Sequence, residues 1–185
     1  KEADMTEDSY FQQILVPVDG SPLSLQAQEV AASIAKKFNS KVVVVHVVPH
    51  SIKHQPRDLD WKGQPIPPTM IKEMEGMVAQ SGEQALSEAK MLFRAENVPV
   101  ESVLEQFADP AETILDVAEE KKPDLIVLGN RGASEIADFS LGGVEEKVSR
   151  HAGCPVLIVK KKNDLSRILV AIDGSKHAQK AFEHA

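Results

Sequence analysis

The sequence predicts an α/β fold: an open parallel five-stranded sheet with helices on both faces. Three observations carry that expectation. Short aliphatic runs alternate with longer segments whose apolar positions recur at helical spacing. The run VVVVHVV (Val42 to Val48) shows no polar alternation, as expected of a strand covered on both faces. The segments between strands are long enough to cross over as helices, and such connections are right-handed and set the strands parallel.

Each element has its own signal. Ile14 to Val18 (ILVPV) reads as the first strand, and the DGSPLS that follows offers Asp19, Ser21 and Ser24 as helix caps. From Leu23 to Phe38 the positions Leu25, Val30, Ile34 and Phe38 repeat at helical spacing. Lys41 to Val48 is the second strand. Pro49 to Pro68 is polar and proline-rich, a long connection of the kind that is commonly functional or mobile. The next helix spans Thr69 to Glu96, with Met70, Met74, Met77, Leu86, Ala89 and Phe93 expected in the core. Val100 to Phe107 is the third strand. Asp109 then caps a helix whose first position is Pro110, where a missing N–H costs nothing, and Pro123 ends it. Asp124 to Leu128 is the fourth strand. A last helix follows from Gly142 with Val144 and Val148 inward, closed by Gly153. Pro155 to Val159 is the fifth strand.

An internal repeat bears on domain organisation. ILVPVDGSPLSLQAQEVA (Ile14 to Ala31) reappears as ILVAIDGSKHAQKAFEHA (Ile168 to Ala185). The expectation is one complete unit over residues 1–161, then a linker and the truncated opening of a second unit over 162–185, with Lys160 to Ser166 as the linker. A fragment this short cannot bury a core by itself. It is expected to be disordered, or to add Ile168 to Ile172 as a strand to a sheet edge.

Composition excludes several classes. The net charge is −7, from 21 basic and 28 acidic residues, which argues against a nucleic-acid surface. One cysteine, Cys154, permits no disulfide within the chain and fits a reducing, cytoplasmic setting. The longest apolar run falls far below the roughly 18 residues that a membrane span needs. The opening KEADMTEDSYFQQ lacks the apolar core of a signal peptide.

The chemistry concentrates at two strand ends. Asp19-Gly20-Ser21 follows the first strand, and Gly129, Gly132, Gly142 and Gly143 follow the fourth. In an open parallel sheet ligands sit outside the carboxyl ends of the strands, where strand order reverses. Backbone N–H groups from Gly129 to Gly132 can form a concave anion nest, and a helix starting at Gly143 offers its positive end. Arg131 can pair with a phosphate as a fork. Asp19 suits a ribose hydroxyl or a phosphate-bound Mg²⁺. Neither GxxxxGK[ST] nor a GxGxxG after the first strand occurs. Glycine spacing alone leaves two readings open, a phosphate cradle and a pair of tight turns.

The pattern G-x2-G-x9-G at Gly129, Gly132 and Gly142, with ILVPVDGS, VVVHVV, ADPAETILDVAEEKKPDLIVLG and GCPVLIVK, resembles the universal stress protein family over about residues 12–161. The second ILV-DGS makes it resemble the tandem-domain branch. The resemblance implies a Rossmann-like sheet of the adenine-nucleotide α-hydrolase kind and a stress-response protein that binds ATP or another adenine nucleotide. It further implies that Pro17 and Asp19 line the adenosine site, with Val18 between them. Val47 would contact adenine, Leu128 would precede the loop, and Gly129, Gly132 and Gly142 would hold the phosphates, with Gly143 and Val144 opening the last helix. The family places a Ser or Thr where this chain has Gly143. A hydrogen bond to a charged group is worth roughly 1.5–3 kcal/mol, so its loss weakens a site by on the order of ten- to hundredfold. The resemblance also implies a homodimer through the last strand, Val156 to Val159.

Other residues read as structural. His46 inside the valine run is expected to be a satisfied core histidine, and Cys154 a buried, inert thiol. His50, His54, Asp58 and Asp60 match no compact metal-ligand set. Ser21 and Ser175 have no local base to activate them, and no set of residues forms a catalytic engine, so turnover is expected to be slow at most. Two functional classes follow: a regulatory protein that holds an adenine nucleotide, or a nucleotide-free dimerisation and interaction module whose glycines only shape turns. An enzyme consuming the nucleotide is the weaker third.

Overall fold

The computed structural model describes residues 10–49, 67–130 and 143–160, together with Leu169, Ser175 and Gln179. The elements are β1 (Gln13–Pro17), α1 (Pro22–Phe38), β2 (Lys41–Pro49), α2 (Pro68–Ala95), β3 (Val100–Ala108), α3 (Pro110–Lys121), β4 (Leu125–Gly129), α4 (Gly143–His151) and β5 (Val156–Val159). The strands form one five-stranded sheet in the order β3-β2-β1-β4-β5, with each neighbouring pair parallel. The fold class expected from the aliphatic runs is therefore the one observed.

Alternating side chains divide the core into two layers. Ile14, Val16, Val42, Val44, Leu125 and Val127 face α1 and α2. Leu15, Val43, Val45, Ile126 and Leu128 face α3 and α4. Helices on both faces explain why the strands are apolar without alternation.

The caps follow their sequence signals. Ser21 caps α1, its side chain accepting the Ser24 N–H at 3.1 Å. Asp109 caps α3 by accepting the Glu112 N–H at 2.9 Å, with Pro110 at the first position. Asn39 and Lys122 close α1 and α3 in the left-handed conformation. Lys147 of α4 pairs with Glu112 at 2.9 Å and with Asp109 at 3.5 Å, tying α4 to the start of α3.

The expectation that the α2 methionines belong to the core is corrected. Met70, Met74 and Met77 are 52%, 47% and 68% exposed, so they are not core residues, whereas Leu86, Ala89 and Phe93 are buried as expected. Length explains the difference. At about 1.5 Å per residue the 28 residues of α2 span about 42 Å, against about 30 Å for nine-residue β2. The buried residues of α2 begin at Gly82, so its first half overhangs the carboxyl edge of the sheet. In α1 the buried residues are Ser24, Ala27, Gln28, Ala31, Ala32 and Ala35, while Leu25 is 48% exposed. Small side chains bring α1 close to the sheet, a face that counting large apolar residues passes over.

Cys154 is half-buried rather than buried. Burial, reinforced by the Asp124 carboxylate, pushes its thiol above the ordinary range. Its thiolate is disfavoured. The proposed edge strand at Ile168 to Ile172 lies outside the described residues except for Leu169, which is almost fully exposed.

Candidate functional site

Strand order fixes where a ligand can sit. From β1 the chain moves through β2 to β3 on one side, then returns to place β4 and β5 on the other. The reversal falls between β1 and β4, which pair in register as Ile14 with Leu125 and Leu15 with Ile126. The same register brings Pro17 level with Leu128. The carboxyl ends of these strands, Pro17 to Asp19 and Leu128 to Asn130, therefore meet at the topological switch point. Because α1 and α4 each lead from a strand's carboxyl end to the start of the next strand, both begin at this edge of the sheet.

The β1–α1 turn is built from its own polar groups. Asp19 accepts the Ser21 N–H at 2.9 Å, and its backbone N–H donates to Ser24 Oγ at 3.3 Å. Gly20 sits at φ +77°, a left-handed conformation that favours glycine. The Asp19 carboxylate stays exposed at the sheet edge, while Val18 turns its side chain into the α1/α2 layer. Val47 and Leu128 lie in the opposite layer, with Leu128 buried and Val47 partly so. Leu128 therefore offers a ligand its backbone more than its side chain.

Gly129 has a definite packing role. A β-carbon there would lie 2.8 Å from the carbonyl carbon and oxygen of Leu23 and 3.0 Å from the Ser24 nitrogen. The end of β4 thus presses against the first turn of α1, and only glycine fits. Gly143 is different. It opens α4 exposed, and a β-carbon on it would meet nothing within 4 Å. The first turn of α4 is acidic: Glu145 is buried, and Glu146 pairs with Arg150 at 2.9 Å. Glu146 is directed along its helix toward that arginine.

Comparison with known proteins matches this architecture. A model of the universal stress protein family matches residues 11–160. The chain belongs to the universal stress protein family. Universal stress protein MJ0531 of Methanocaldococcus jannaschii is 34% identical over 155 residues, covering 83% of this chain and 85% of that protein. Universal stress protein Rv2005c of Mycobacterium tuberculosis is 30% identical over 171 residues, 88% of this chain and 54% of that longer protein. Among solved structures, a universal stress protein in complex with cAMP has a TM-score of 0.55 at 29% identity, covering 82% of this chain and 98% of that one. The Archaeoglobus fulgidus universal stress protein in complex with dAMP has a TM-score of 0.57 at 25% identity, covering 82% and 99%.

Within this universal stress protein domain, Pro17, Val18, Asp19, Leu128, Gly129, Gly143 and Val144 all lie at the carboxyl edge of the sheet, and Val47 lies near the end of β2. Arg131, Gly132 and Gly142 fall outside the described residues, as do His50, His54, Asp58 and Asp60. Among the described residues no group of three or more His, Cys, Asp or Glu is placed to hold a metal ion, and no helix is long and apolar enough to cross a membrane.

Sequence reasoning left the partners of three residues unread. Ser24 is buried in the first turn of α1, and its Oγ receives the Asp19 N–H. Asn130 follows Gly129, donates its N–H to the Val159 carbonyl at 2.9 Å, and buries its Oδ1 without a hydrogen-bond partner among the described residues. Gly82 stands against His46. Ser24 was visible as one of three cap candidates; Gly82 and Asn130 carry no local signal, because their roles depend on another element.

Proposed function

We propose that this chain is a stress-response regulatory protein that binds an adenine nucleotide at the carboxyl ends of β1 and β4, with little or no turnover. The observation that carries the reading is the meeting of Asp19 and Gly129 at the switch point of the sheet, at the edge where α4 begins. The exposed Asp19 carboxylate faces the ribose side, or a Mg²⁺ if ATP is the ligand, and the glycine loop with the start of α4 faces phosphate. Relatives of the same fold held with cAMP and dAMP support adenine as the recognised base. Holding the nucleotide falls to Pro17, Val18, Asp19, Val47 and Leu128 on the nucleoside side. Gly129, Arg131, Gly132, Gly142, Gly143 and Val144 serve the phosphate side.

Thermal denaturation with AMP, cAMP, ADP and ATP, each with and without Mg²⁺, tests the reading. A saturable rise in Tm with at least one of them is expected; no shift with any at millimolar concentration contradicts it. One observation favours a second reading, a nucleotide-free interaction module. Gly129 is required by packing against Leu23 whatever it does for phosphate, and Gly143 lacks the hydroxyl.

The finer assignments rest on the same basis. β5 is an edge strand whose Val156, Leu157 and Ile158 are only partly buried, which supports a homodimer through that strand. The division into a domain over 1–161 and the opening of a second over 162–185 is supported by a matched local bond. The Ser21 carbonyl accepts the Leu25 N–H at 3.0 Å, and the Ser175 carbonyl accepts the Gln179 N–H at 3.0 Å. These are equivalent positions of the two repeats. A cytoplasmic location fits the single cysteine.

A further inference from the structure

We infer that His46 is a positioning residue of the nucleotide site, its ring acting as a spacer that sets the β1–α1 turn against α2. The functional half of this inference rests on the reading above; the geometric half does not. His46 lies on β2 within the valine run, facing the same layer as Val42 and Val44. Another aliphatic side chain there would fill the layer as well. Instead the imidazole Nδ1 lies 2.7 Å from the Val18 carbonyl oxygen. A carbonyl only accepts, so Nδ1 carries the proton.

The bond falls where the sheet stops. The β1–β2 ladder ends at Pro17 opposite Val45, and the Val18 N–H makes a last bond to the Val45 carbonyl at 2.8 Å. The chain then swings away into Asp19 and Gly20, and the Val18 carbonyl leaves the ladder. A carbonyl next to a buried side chain must find a donor, and His46 supplies it from the neighbouring strand. The direction in which the turn departs, and with it the placement of the Asp19 carboxylate, follows from where that ring stands.

The ring is fixed from behind. A β-carbon at Gly82 of α2 would lie 2.6 Å from His46 Cδ2 and 2.7 Å from Nε2. Gly82 is a glycine in the middle of a long helix, where glycine is disfavoured by about 1 kcal/mol relative to alanine. Its φ is helical, so no turn requires it. Room for the imidazole does. The contact chain therefore runs from α2 through Gly82 and the His46 ring to Val18 and the Asp19 turn. One helical turn further on, Ala85 stands 3.9 Å from where a Gly20 β-carbon would be, so the same face of α2 backs the turn directly.

The atoms involved allow a discriminating test. Asparagine at 46 can present an N–H near the place of Nδ1; its Oδ1 then stands near the place of Cδ2, but nothing replaces Nε2, so the shorter side chain crowds Gly82 less than the ring does. We would measure nucleotide affinity by calorimetry for wild type, Gly82→Ala, His46→Asn, the double variant and His46→Leu, and record the Asp19 and Gly20 amide resonances of each. Gly82→Ala and His46→Leu are expected to weaken binding roughly five- to tenfold, about the loss of one hydrogen bond. His46→Asn is expected to stay within about twofold of wild type, and Gly82→Ala to cost less in that background than in wild type. Unchanged affinity in Gly82→Ala and His46→Leu overturns the inference, as does an equal effect of Gly82→Ala in both backgrounds. If the wild type binds no nucleotide, the nucleotide reading fails. The amide resonances of the free proteins then decide the positioning claim: displaced in Gly82→Ala and moved back toward wild type in the double variant supports it, and any other pattern overturns it.

Discussion

Gly129 at the end of β4 and Leu23 in the first turn of α1 approach so closely that a β-carbon on the glycine would lie 2.8 Å from the leucine carbonyl oxygen. The neighbour is backbone, which cannot rotate aside. Gly129→Ala is therefore expected to destabilise the free protein by about 1–3 kcal/mol through overpacking. Urea denaturation without any nucleotide checks this; an unchanged midpoint would mean that the close approach relaxes freely.

Gly143 makes the opposite case. A β-carbon there meets nothing within 4 Å, so Gly143→Ser adds a hydroxyl at the start of α4 without a clash. Nucleotide affinity is expected to rise on the order of ten- to hundredfold, the worth of a hydrogen bond to a charged group. Calorimetric titration of both proteins reads this. Equal affinities would place the phosphate away from α4.

Acid should loosen the start of α3 in a defined way. The Glu112 N–H bonded to Asp109, helped by Lys147, holds the Asp109 carboxyl below its ordinary value of 3.8. With the folded value depressed, the charged cap contributes fully above the unfolded value and is lost as pH falls through the lower folded one. Asp109→Asn keeps a capping oxygen without a titrating group. Denaturation midpoints measured from pH 5 to pH 2.5 should fall more steeply for wild type than for Asp109→Asn, the difference confined to about pH 4 and below. Parallel curves would remove Asp109 as a source of acid sensitivity.

The overhanging half of α2 should tolerate polarity. Replacing Met70, Met74 and Met77 together by Gln is expected to change stability by less than about 0.5 kcal/mol per site, because all three are largely exposed. Phe93→Ala in the buried half should cost about 3–5 kcal/mol. Thermal denaturation of the two variants separates these outcomes. A large loss in the methionine variant would mean that those side chains are covered in solution.

Much of this fold was legible in the sequence because its signals are local. The valine run, the Asp109-Pro110 start and the aliphatic run up to Gly129 each state their element within a few residues. Relations between elements were not legible. The methionines share the helical period of Leu86 and Phe93, and only the length of the strands beneath shows that α2 outruns the sheet. The alanine face of α1 was hidden by the more conspicuous Leu25. Gly129 drew attention as a possible phosphate contact, yet its packing against Leu23 depends on an element a hundred residues away. His46 was expected to be a satisfied core histidine; it is only partly buried, and that the Val18 carbonyl is the partner of its Nδ1 could not be read from its neighbours in sequence.

The central claim is that an adenine nucleotide sits across the carboxyl ends of β1 and β4, and amide-resolved NMR titration tests it most directly. On adding AMP to the full chain, saturable shifts are predicted at Val18 to Gly20, at Val47, at Leu128 to Asn130 and at Gly143 and Val144, with β3 and the far end of α2 near Ala95 unmoved. No shift at millimolar AMP, ADP or ATP, or saturable shifts clustered away from these strand ends, would contradict it.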